Sequence, residues 1–94
     1  MAQELSERSQ RYREAIEQMS TLIPQIRSAR NEALNKAELY ELAGKYVEAA
    51  ESYKQAADYS MELDELEAAK EYQEHVERML SLEELAKLRR SLGA

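Results

Sequence analysis

Apolar side chains recur at alternating steps of three and four from the start of the chain. Leu5, Tyr12, Ile16, Met19, Ile23 and Ile26 form one series, and Ala33, Ala37 and Tyr40 continue it. This is the spacing of one face of an α-helix. Pro24 interrupts the series; an internal proline removes a backbone hydrogen bond and clashes with the preceding turn, costing about 3 kcal/mol. Ser20 and Thr21 stand just upstream, able to cap a restart with Pro24 in its first turn. The pattern predicts helices over 4–22 and 25–43, with a kinked continuous helix as the alternative because the stripe keeps its phase across Pro24.

Gly44 follows the last periodic residue, where a residue without Cβ takes the left-handed conformation that ends helices. A helix over 45–61 then turns Tyr46, Ala49, Ala50, Tyr53, Ala56 and Ala57 to one side. Asp64 with Glu67 reads as a capping box opening a helix over 64–80, with Leu66, Ala69, Tyr72, Val76, Met79 and Leu80 inward. Ser81 with Glu84 reads as a second box, opening a short helix over 82–91 with Leu82, Leu85 and Leu88, and Leu92 just beyond. The expected fold is all-α: a single domain over 1–94, a compact three- or four-helix bundle built around the hairpin at Gly44. The alternative is one long antiparallel hairpin about Gly44 that dimerises, since no glycine or proline forces a reversal between Lys45 and Leu92.

Composition sharpens this picture. The chain has no Phe, Trp or Cys, six tyrosines, and only three Gly and Pro together in 94 residues. Alanine supplies much of the apolar content, so helices can approach closely while burying little area. Absence of cysteine removes disulfides, thiolate nucleophiles and Cys-based zinc sites, and with no apolar run of membrane-spanning length it sets a cytoplasmic expectation. The net charge of −6 is uneven: residues 1–30 carry five Arg and four Glu, whereas residues 31–80 carry thirteen acidic and five basic side chains. Such an acidic body disfavours nucleic acid and anionic membranes and favours a basic or amphipathic helix as partner.

The segment ALNKAELYELAGKYVEAAESYKQAADY, residues 33–59, resembles a tetratricopeptide-like helical hairpin. With Gly44 at the turn, Ala33, Ala37 and Tyr40 fall at the small, small and aromatic packing positions of its first helix, and Ala49, Tyr53 and Ala56 at those of its second. Lys36 replaces a usual large apolar residue and Met61 the closing proline. A second repeat 34 residues on puts Glu67, Glu71 and Glu74 at packing positions, so no repeat exists in that register. The stretch is also similar to the first two helices of an MIT (microtubule-interacting and trafficking) domain, with EYQEHVERML like the third. The longer stretch through Tyr72 is similar to the helical pairs of NSF-attachment proteins. Each resemblance covers roughly residues 31–80 and implies a non-catalytic adaptor that binds helices or extended peptides, in trafficking machinery. The tetratricopeptide alignment implies a groove lined by Asn31, Leu34, Glu38, Glu41 and Leu42. The MIT alignment implies an acidic face of Glu67, Glu71 and Glu74, otherwise read as a solvated face with Glu74 pairing to Arg78.

Candidate chemistry is sparse. His75 is the only histidine, and with Glu71 one turn earlier it lacks further metal ligands; it is expected on the surface. Glu-x-x-His pairs are absent, since Tyr72 stands three residues before His75. No glycine-rich phosphate loop exists, and a lone histidine without a positioned acid makes no nucleophile triad. The expectation is therefore neither enzyme nor cofactor protein. It is a module binding another protein, with a structural dimer or small subunit as the alternative, and a homodimer among the expected partners.

Overall fold

The computed structural model describes residues 2–93, with side chains from residue 6 onward. Three helices make up the fold: α1 (Ala2–Leu42), α2 (Tyr46–Glu62) and α3 (Leu66–Gly93). The all-α expectation holds; the compact bundle and the helix boundaries need correction. α1 runs unbroken through Pro24, so the helices expected over 4–22 and 25–43 are one. Strong helix formers on both sides carry it across the missing bond, and Thr21 donates its hydroxyl to the Glu17 carbonyl at 2.9 Å within the same stretch. α3 likewise runs through Ser81, where no breaker stands, so the separate helix over 82–91 does not exist.

The chain reverses twice, by the same device. At the first turn Gly44 has φ +73°, its N–H donates to the Glu41 carbonyl at 3.0 Å, and the Lys45 N–H donates to the Tyr40 carbonyl at 2.8 Å. At the second, Asp64 has φ +59°, its N–H donates to the Met61 carbonyl at 3.0 Å, and the Glu65 N–H donates to the Ser60 carbonyl at 2.9 Å. Both are Schellman motifs, which satisfy the orphan carbonyls of the ending helix. Lys45 and Glu65 then accept, through their carbonyls, the first bonds of α2 and α3. The long hairpin alternative is thereby overturned. Asp64 is not a helix N-cap but the left-handed residue after α2, a conformation short polar side chains tolerate.

α2 packs against both α1 and α3 and is the middle of the array. Its buried residues are small on both faces: Ala49, Ala50, Ser52, Ala56, Ala57 and Ser60, with Tyr53 the one large group. Ala33 and Ala37 of α1 meet one side; Ala69, Val76 and Met79 of α3 complete the core. Leu34, Tyr40, Tyr46 and Leu82 pack at its edge. Leu66 and Leu80, expected inward, are exposed, and Tyr72 is half-buried. Leu80 lies on the outer flank of the face that Ala69, Val76 and Met79 pack, the side turned away from Met79.

Helix lengths set the shape. At about 1.5 Å per residue α2 spans about 26 Å, so about 36 Å of α1 projects past one end of it and about 16 Å of α3 past the other. The principal extents of 79 × 18 × 16 Å follow from this stagger. Among the described residues no helix is long and apolar enough to cross a membrane.

Three substitutions test this architecture. Gly44→Ala should lose about 1 kcal/mol in chemical denaturation from the Cβ penalty at positive φ, whereas Asp64→Gly should be neutral or stabilising. Ser60 is fully buried and its hydroxyl has no hydrogen-bond partner among the described residues. Ser60→Ala should therefore raise stability by about 1 kcal/mol, because a buried unsatisfied hydroxyl is removed without changing the packing shape.

Candidate functional site

One polar cluster joins all three helices. Tyr53 of α2 donates its hydroxyl to a Glu41 carboxylate oxygen of α1 at 3.0 Å. Arg78 of α3 reaches both oxygens of the same carboxylate at 3.4 Å. The His75 ring stacks on Tyr53, with centroids 4.9 Å apart and planes 17° from parallel. His75 is accordingly half-buried rather than a surface residue. Arg78 crosses to Glu41 instead of pairing with Glu74 one turn back. At the lower end Arg30 of α1 pairs with Glu65, beside the second turn.

This cluster acts as a clasp between the helices, with its tyrosine held as a hydrogen-bond donor. Burial pushes the Tyr53 phenol up to about 12, and the Glu41 hydrogen bond and the nearby Glu41 and Glu38 charges add to this, while Arg78 opposes it. A phenol held this firmly neutral is neither base nor nucleophile at physiological pH. Among the described residues no three His, Asp or Glu side chains lie close enough to hold a metal ion.

The groove residues expected from the sequence divide by position. Leu34 packs against the core edge, and Glu41 is half-buried in the clasp. Asn31, Glu38 and Leu42 are exposed, Leu42 at 86 %, and at 100° per residue they point away from the Ala33–Ala37 line. Glu67, Glu71 and Glu74 are exposed on α3, and helical spacing puts them on the stripe that ends at Arg78. Arg78 reaches round from the end of that stripe to bond Glu41, whereas at 100° per residue Glu67 and Glu74 lie on the outer side of α3, roughly opposite the buried Val76. Arg78–Glu41 and Arg30–Glu65 tie α1 to α3 at two levels.

Larger apolar surface lies elsewhere. On the projecting half of α1, hereafter the arm, Tyr12 is 72 % exposed, Ile16 59 %, Met19 63 %, Leu22 52 % and Ile23 41 %. Leu5, the first position of the expected stripe, lies outside the residues whose side chains are described. At the opposite end Leu85, Leu88 and Leu92 are exposed on α3. There Gly44, Tyr46, Leu82, Leu85 and Ala86 line a hollow where α3 passes the first turn. The sequence shows both stripes plainly; what it does not show is that α2 is too short to cover them. No family model, no curated protein and no solved structure matches this chain.

Replacing Tyr53 tests the clasp. Its folded-state affinity for the proton exceeds that of the free phenol at 10.0, so its contribution is complete below pH 10 and falls away as pH rises towards about 12. Denaturation series across that range should show stability falling more steeply for the natural protein than for Tyr53→Phe. Below pH 10 the variant should be less stable by about 1 kcal/mol.

Proposed function

We propose that this chain is a non-catalytic interaction module that binds a helix of a partner chain along the uncovered stripe of the α1 arm. The carrying observation is the continuity of one helix face. The series that buries Ala33 and Ala37 against α2 continues through Ile23, Met19, Ile16 and Tyr12, where it is exposed. A helical face of this apolar width is ordinarily covered. A partner helix laid in line with α2 would extend the same kind of packing.

The resemblance of residues 31–80 to tetratricopeptide, MIT and NSF-attachment hairpins supports an adaptor role of the same class. The outward acidic surface of α1 and α3 is a second candidate surface, favoured by the excess of Glu38, Glu67, Glu71 and Glu74 over Arg78. A basic peptide is the ligand its charge suits. The two surfaces make opposite demands on a mutant series.

Affinity capture from the source cell, with the full chain as bait, separates them. Ile16→Arg should reduce the captured partner at least tenfold, while Glu38→Lys and Glu71→Lys leave it within about twofold. Loss on Glu71→Lys with retention on Ile16→Arg would assign the acidic surface instead. If none of the three changes the yield, neither surface is the binding site.

A further inference from the structure

Resting on that reading of the arm, we infer that its occupant is a second copy of this chain, whose own arm lies antiparallel on residues 6–23. Three observations point to this. First, Ser9, Tyr12, Ile16, Met19 and Ile23 step by three, four, three and four, and Tyr12 through Ile23 are exposed on a helix that nothing covers. That alternation is the seam of a two-helix coil.

Second, the seam is complementary to itself when reversed. About a centre at Glu14, Tyr12 falls opposite Ile16 of the other copy, and Ser9 falls opposite its Met19. A large group thus meets a medium or small one in both of these layers, as interdigitation requires.

Third, charge selects the orientation. Residues 6–13 carry Arg8, Arg11 and Arg13 against Glu7, for +2; residues 14–23 carry Glu14 and Glu17 and no basic group, for −2. Antiparallel arms lay each positive half along a negative half and oppose the two helix dipoles. Parallel arms would set like against like. Arg13 nears its own counterpart at the two-fold axis, with Glu14 and Glu17 beside it as counter-charge.

The arrangement closes on itself, so assembly stops at two. Two such stripes remove on the order of 1,000 Å² from water, the low edge of what a specific interface needs, which gives a reversible dimer. The bundles, one at each end, remain free, with their acidic surfaces and α3 ends outward.

The chain contains no cysteine, which makes the geometry directly testable by oxidation. Ser9→Cys alone should stay unlinked, because antiparallel arms hold the two introduced sulfurs about ten residues, roughly 15 Å, apart along the coil. Adding Met19→Cys should yield a covalent dimer as the main product. Ile16→Arg should weaken self-association at least tenfold in sedimentation while leaving thermal unfolding of the bundle unchanged. Efficient linkage by Ser9→Cys alone, assemblies that grow beyond two, or a monomer at all accessible concentrations would each overturn the inference. A monomer whose captured partner is still lost on Ile16→Arg would refute self-pairing alone. A dimer formed as described whose captured partner ignores Ile16→Arg would refute the reading of the arm as the surface for another protein.

Discussion

Everything in this fold depends on how closely α1 and α3 approach α2. The middle helix has small side chains on both of its packed faces, with Ala49, Ala50, Ala56, Ala57, Ser52 and Ser60 all buried. Contact through alanine brings backbones near one another but removes little apolar area per residue. The larger contributions come from the few bulky groups inserted between turns, Tyr53 and Met79 above all. The clasp of Glu41, Tyr53 and Arg78 sits beside them and ties the outer helices to the middle one. A core this lean concentrates its specificity in a handful of positions.

The same constraint explains the shape. α2 ends after 17 residues at Glu62, and its two neighbours are 41 and 28 residues long. Two left-handed turns of the same type fold the helices back tightly, leaving no loop to cover the excess. The uncovered lengths therefore emerge at opposite ends, each with its apolar stripe facing outward. The arm and the α3 end are consequences of unequal helix lengths as much as of their own sequences. Binding surface and bundle core are successive parts of one helix face.

Helical content, the Gly44 turn and the alanine core are legible in the sequence because they rest on local spacing and on a residue with one dominant backbone role. The second turn is not, because Asp64 serves equally well as an N-cap and as a left-handed residue. Only the packing of Ala69 and Met79 against α2 decides between them. Pro24 misleads for a similar reason: the cost of a proline is local, while the helix on either side of it is long. Arg78 has an acidic neighbour one turn back that makes a satisfying local pair, and nothing in the sequence says that Glu41, 37 residues away, will win. The two expected grooves read as rivals because each comes from one helix considered alone. Arg78 ties α3 to the Glu41 flank of α1, while Glu67 and Glu74 stay on the outer side of α3.

The chain divides into a packed part centred on α2 and a projecting arm whose apolar stripe neither α2 nor α3 covers. Amide hydrogen exchange in dilute protein measures that division residue by residue. Amides of α2 should exchange only through global unfolding, while amides of residues 6–20 should exchange far faster. Arm amides as slow as those of α2 in a dilute, monomeric sample, or α2 amides as fast as those of the arm, would contradict it.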